Sequence, residues 1–81
     1  MGVKIYSTLQ CPYCVRAKTW FEVRKIKYAE IILDNQDAIA QYRKDCPGLS
    51  TVPQIFIEGE LIGGHDELME KQEYVLGILK S

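Results

Sequence analysis

Apolar positions recur along this chain with two spacings, near two residues and near 3.6, and they predict seven elements. Residues 3–7, Val-Lys-Ile-Tyr-Ser, form a short apolar run that reads as a buried strand. Ala17, Trp20 and Phe21 stand at i, i+3 and i+4 and predict a helix over residues 15–24. Residues 27–33, with Ile31 and Ile32 at their centre, predict a second strand. Asp34-Asn35 is a turn and helix-start signal. Ile39, Tyr42 and Cys46 at i, i+3 and i+7 place the next helix over residues 36–45, and Pro47-Gly48 stops it. Residues 53–58 and 60–62 flank Gly59 and predict a tight hairpin. Gly63-Gly64 leads into a last helix over residues 66–80, whose stripe of Leu68, Met69, Val75, Leu76 and Leu79 is interrupted by Gln72.

The order β-α-β-α-β-β-α predicts an α/β domain with a four-stranded mixed sheet flanked by three helices, set on both of its faces. The first βαβ unit should be parallel with a right-handed crossover, and the closing hairpin antiparallel. A chain of 81 residues reads as a single domain, residues 1–81. It buries only about 60% of its unfolded surface, so its stability should be modest.

Composition narrows the function classes. The chain is 47% hydrophobic and 26% charged, which is globular rather than disordered. A formal net charge of −1 gives no electrostatic reason to propose nucleic acid or an anionic membrane as partner. No apolar stretch reaches 18 residues, so no transmembrane helix is expected. Lys4 interrupts the first apolar run, so no signal peptide is expected either. Three cysteines, an odd number, argue against a disulfide-stapled secreted framework. The expected compartment is a reducing cytoplasm, where Cys-x-x-Cys is more often catalytic or metal-binding than structural.

The candidate chemistry is Cys11-Pro12-Tyr13-Cys14, placed between the first strand and the first helix. Two thiols three positions apart at such a junction can cycle between dithiol and disulfide. Pro12 suits the first helical position, where no backbone N–H is needed. Cys11 then caps the helix, facing its unpaired N–H groups and the positive end of its dipole, and both favour a thiolate. Cys14, almost one turn further in, should be less exposed and less acidic. The pair therefore reads as an attacking thiol and a resolving thiol. Half of a structural zinc site is the plainer alternative, but only Cys46 and His65 remain as ligands, far apart and without metal-site spacing. Cys46, on the apolar stripe of the second helix, reads as packing. Trp20 and Phe21 read as core.

The tetrapeptide, Thr51-Val52-Pro53-Gln54-Ile55-Phe56-Ile57 and Gly63-Gly64-His65-Asp66 together resemble a dithiol glutaredoxin of the thioredoxin-fold superfamily. The three blocks stand in family order, and the resemblance covers essentially the whole chain. It implies a glutathione-dependent thiol–disulfide oxidoreductase with catalytic Cys11 and Cys14. It also implies glutathione as co-substrate, without a metal, held by Tyr13, Thr51, Val52, Pro53, Gly64, His65 and Asp66. The resemblance implies a cis Val52–Pro53 peptide that turns the Val52 backbone toward Cys11, where it pairs, strand-like, with the cysteinyl backbone of glutathione. The γ-glutamyl end would lie at Gly64, His65 and Asp66, with its carboxylate on backbone N–H groups and its ammonium facing Asp66. His65 would lend its backbone rather than act as a base. Glutathionylated or disulfide-bearing proteins are the implied clients, ribonucleotide reductase among them, and the protein should act as a monomer. A glutaredoxin potential of roughly −200 to −230 mV, less reducing than thioredoxin at about −270 mV, makes glutathione a competent reductant.

Relatives that donate hydrogen to ribonucleotide reductase usually lack the Gly-Gly-x-Asp block, and monothiol glutaredoxins lack the second cysteine; both features are present here. The chain departs from the pattern at the other end of the ligand. Similar glutaredoxins commonly carry a Lys three residues before the first Cys, and this chain has Thr8. Leu49-Ser50 also stands where a basic residue is often found, which leaves Arg43 or Lys44 as substitutes for the glycyl carboxylate. The competing reading is a glutathione-ligated iron–sulfur cluster carrier that pairs two chains through Cys11. Pro12 stiffens the motif against cluster ligation, and a colourless protein purified without air would rule the carrier out.

Overall fold

A computed structural model describes residues 2–80, and β1 (Val3–Ser7) lies inside its sheet. It pairs in parallel with β2 (Tyr28–Ile32) and antiparallel with β3 (Gln54–Ile57). β4 (Glu60–Gly63) closes the sheet antiparallel to β3, giving the order β2-β1-β3-β4. Glu58 and Gly59 form the two-residue hairpin turn between β3 and β4, both at positive φ, 52° and 83°. The mixed four-stranded sheet is the one that the order of elements predicts.

Strand residues two apart share a face, and this divides the core. Val3, Ile5, Ile55, Ile57 and Ile62 pack with Ala17, Trp20 and Phe21 of α1 (Pro12–Val23). Leu68 of α3 (His65–Glu70) and Val75 of α4 (Gln72–Lys80) complete that cluster. Tyr6 and Phe56 pack with Tyr42 and Cys46 at α2 (Gln36–Asp45). Tyr6 meets Tyr42 and Phe56 edge-on, with ring centroids 5.4 and 6.0 Å apart. Cys46, 1% exposed, is the packed small hydrophobe that its stripe predicts.

At the end of the chain the helices differ from expectation. The helix expected over residues 66–80 is two helices, so four helices rather than three flank the sheet. Lys71 leaves helical geometry at φ −108° and ψ 22°. Gln72, which breaks the apolar stripe, donates from Nε2 to the Met69 carbonyl at 3.1 Å and accepts from the Trp20 indole at 3.1 Å. A side chain that takes a carbonyl of the preceding turn and ties the junction to α1 explains the interruption. At its start α1 reaches back to Pro12, with Cys11 as its cap. Its far end closes with Lys25 at φ 58°, Lys25 N–H on Glu22 O and Ile26 N–H on Phe21 O.

A polar cluster fastens α2 to the sheet. The Asp45 carboxylate accepts from Tyr6 Oη, Lys4 Nζ (2.9 Å) and Gln41 Nε2 (3.1 Å). These bonds, that from Tyr6 foremost, hold its pKa down at about 2. A carboxyl whose folded pKa is depressed gives stability that is present above its unfolded value, near 3.8, and lost as pH falls through about 2. We expect about 1–2 kcal/mol of stability to disappear between pH 5 and 2, after discount for partial exposure. Urea titrations across that range measure it. Asp45→Asn should be less stable at neutral pH and should flatten that part of the profile; an unchanged profile would exclude Asp45 as its source.

Candidate active site

Cys11 occupies the N-cap of α1 with extended backbone, φ −142° and ψ 106°. Pro12 at the helix start has no N–H to leave unpaired, and the Cys14 N–H points back to Cys11 Sγ at 3.3 Å. In the thiol form Cys11 Sγ donates to the Val52 carbonyl at 3.7 Å. The sulfur therefore lies between the start of a helix and the loop before β3. Cys14 is different. It is 1% exposed, and burial above all pushes its thiol up to about 12. Its hydrogen bond with Cys11 adds to that rise, while a backbone hydrogen bond from Thr8 and the charge of Lys18 oppose it. Lys18 is held 2.7 Å from Glu30, which also accepts from the buried Ser7 hydroxyl at 2.6 Å. The two thiols are reduced in this structure and sit in unlike environments, as their places on the helix predict.

A shallow groove of about 300 Å³ is lined by Tyr13, Thr51, Val52, Pro53, Gly64, His65, Asp66 and Glu67. All seven residues that the resemblance assigned to glutathione are therefore in one place, which the Val52 carbonyl links to Cys11 Sγ. The Val52–Pro53 peptide is cis. Tyr13 is 52% exposed and walls the groove; its ring lies 5.8 Å from that of His65 and 5.3 Å from the Arg16 guanidinium. The His65 side chain is turned inward, with Nδ1 buried and 3.5 Å from Asp66 Oδ1, whereas the Asp66 side chain stands in solvent.

Gly63 and Gly64 let the two walls approach. A Cβ at Gly64 would stand 3.3 Å from the Pro53 carbonyl, and Gly63 has φ +121°. Glu67, beyond the residues expected from sequence, also lines the groove, and its Oε1 accepts the Gly64 N–H at 2.7 Å. The spacing of a cap and a Glu three residues on is a legible signal, hidden here because the cap is a glycine rather than Ser or Thr. Behind the groove, the Tyr42 hydroxyl and the Gln54 amide both donate to the Thr51 carbonyl, contacts that no local sequence pattern announces. Among the described residues no three His, Cys, Asp or Glu side chains gather as a metal site, and no helix is long and apolar enough to cross a membrane.

A helix-capping thiol, a buried partner thiol and a cis-proline loop facing them define a thiol–disulfide oxidoreductase site on a thioredoxin-type fold. The family model described as Glutaredoxin matches residues 3–62. Glutaredoxin 1 of Rickettsia prowazekii is 38% identical over 71 residues, covering 85% of this chain and 75% of that protein. The crystal structure of Glutaredoxin 1 from Francisella tularensis, complexed with cacodylate, superposes with a TM-score of 0.78 at 41% identity, covering 93% of this chain and 95% of that one. The buckwheat glutaredoxin–glutathione complex superposes with a TM-score of 0.82 at 34% identity, covering 98% and 76%. The chain belongs to the glutaredoxin family. It is an enzyme, a thiol–disulfide oxidoreductase with a redox-active cysteine pair.

Proposed function

We propose that this enzyme reduces mixed disulfides between protein thiols and glutathione, and protein disulfides, with glutathione as electron donor. The contrast between Cys11 and Cys14 carries this reading. One sulfur caps a helix and meets the carbonyl of Val52, a residue of the groove, and the other is buried with its proton held to about pH 12. The Cys11 thiolate attacks the glutathione sulfur of a mixed disulfide. An S–S bond forms between Cys11 and glutathione, and the protein thiolate leaves and takes up a proton. A second glutathione thiolate then attacks the glutathionyl sulfur, which releases oxidised glutathione and restores Cys11. On a protein disulfide, the Cys11 thiolate attacks one sulfur and the other leaves as a thiolate that takes up a proton; Cys14 then loses its proton and displaces the client thiol still bound to Cys11, and two glutathiones reduce the Cys11–Cys14 bond and leave as oxidised glutathione.

In the groove the Val52 backbone meets the cysteinyl part of glutathione, and the first turn of α3 with Asp66 meets the γ-glutamyl end. The relative solved with glutathione supports that ligand. Ribonucleotide reductase is one client to assay. A dithiol reduced by glutathione works where glutathione is kept reduced, and on that ground we place the protein in the cytoplasm. The decisive assay is turnover of a glutathionylated peptide with glutathione plus its reductase, compared with thioredoxin reductase. Turnover with the first alone is expected; turnover only with thioredoxin reductase would refute the reading.

Thr8 gives a further prediction. It lies one residue after β1 and three before Cys11, and its hydroxyl offers the glycyl carboxylate no charge. Thr8→Lys should raise kcat/KM for a glutathione mixed disulfide about two- to fivefold, an exposed charge pair contributing about 0.5–1 kcal/mol. The gain should shrink at high salt. No gain at low salt would place the carboxylate elsewhere or beside another cation.

A further inference from the structure

Gln54 is 4% exposed, yet its amide oxygen has no donor among the described residues. Its nitrogen faces Thr51 twice, 3.1 Å from the carbonyl and 3.1 Å from Oγ1. A carbonyl only accepts, so the amide N–H, not the amide oxygen, belongs on that side. A second buried donor reaches the same carbonyl from α2: the Tyr42 hydroxyl, at 2.7 Å. Tyr42 is 6% exposed and packs edge-on against Tyr6, which is the β1 partner of Gln54 in the sheet. Neither Tyr42 nor Gln54 lines the groove, whereas Thr51, Val52 and Pro53 do.

We infer that Tyr42 and Gln54 are positioning residues for the bound tripeptide. Together they pin the Thr51 peptide from the core side and so fix Val52, whose carbonyl meets Cys11. Packing alone does not account for Gln54, because an apolar side chain of similar length would fill the site without burying an unmatched amide oxygen. Both polar contacts of its amide nitrogen fall on the residue that opens the groove. The inference rests on the groove's being the glutathione site.

The test uses Tyr42→Phe, Gln54→Met and the double variant, each assayed for steady-state reduction of a glutathionylated peptide, alkylation of Cys11 by iodoacetamide, and thermal melting. Each single variant should raise KM for the glutathionylated peptide about 3- to 10-fold, the range of one hydrogen bond, with kcat within about twofold. The rate of Cys11 alkylation, which needs no groove, should not change. Gln54→Met should melt at or above the wild-type temperature. The double variant should lose less than the product of the two single losses, because both donors act on one carbonyl. Tyr42→Phe, which removes one hydroxyl, carries the test should Gln54→Met not fold. Unchanged KM in the single variants overturns the inference, as does a KM rise matched by equal losses in alkylation rate and melting temperature. Wild type serves as the control for the underlying reading: equal kcat/KM for glutathionylated and cysteinylated peptides would overturn the glutathione groove itself, and the positioning role with it.

Discussion

Cys11→Ser should abolish turnover of every substrate, while Cys14→Ser should keep deglutathionylation and lose the reduction of protein disulfides. The asymmetry follows from the two environments. Only Cys11 combines partial exposure with a helix cap and a backbone N–H on its sulfur. A serine there offers no thiolate, so the loss should exceed 1,000-fold, about 4 kcal/mol or more of activation free energy. Cys14 is buried and its thiol is pushed up to about 12, so at neutral pH it is a poor first attacker. In the proposed cycle it acts once Cys11 holds a mixed disulfide beside it. Deglutathionylation does not need it, because free glutathione resolves the Cys11 adduct. Steady-state assays of both variants on a glutathionylated peptide and on a protein disulfide check this. Retained deglutathionylation by Cys11→Ser, with loss in Cys14→Ser, would reverse the roles.

The positions of the cysteines and of the sheet were legible because local signals agree with the fold. Pro12 after Cys11 marks the helix start, and the stripe Ala17, Trp20, Phe21 marks the face that α1 buries. Val3–Ser7 and Gln36–Asp45 emerge with the bounds that apolar spacing and the Asn35 cap predict. The break at Lys71 was less legible, because the apolar stripe resumes at Val75 after Gln72, and the contact that explains the interruption joins Gln72 to Trp20, 52 positions apart. The groove assembles segments near residues 13, 51 and 64, and only resemblance to a family joined them beforehand. The Asp45, Tyr6, Lys4 cluster and the two donors on Thr51 are long-range polar contacts, for which periodicity carries no signal.

Gly63→Ala should cost about 3 kcal/mol and lower the melting temperature by about 10–20 °C. Two effects add. At φ +121° an L side chain is strained, worth about 1–3 kcal/mol. The new Cβ would also stand 2.8 Å from Glu67 Cγ and 2.9 Å from Glu67 Cβ. Cβ cannot swing away, so α3 must shift or Glu67 must release the Gly64 N–H that it accepts at 2.7 Å. Either movement displaces a wall of the groove, so KM for glutathionylated substrate should rise with the instability. Adding Glu67→Ala should remove the contacts with Cγ and Oε1 but leave that with Cβ and the backbone strain, so the relief should be partial and the two substitutions less than additive. Melting curves of the two single variants and the double close this cycle. A Gly63→Ala protein that melts within about 2 °C of wild type would contradict the packing described for this corner.

In the proposed reaction Cys11 takes glutathione, rather than the client, onto its own sulfur. Mass spectrometry of Cys14→Ser after brief reaction with a glutathionylated peptide reads this directly, because without Cys14 the adduct has no internal thiol to displace it. The expected result is a single glutathione adduct on the tryptic fragment that contains Cys11, free peptide thiol in equal amount, and no label on buried Cys46. A Cys11 adduct carrying the peptide instead of glutathione, or glutathione found on Cys46 with Cys11 free, would contradict it.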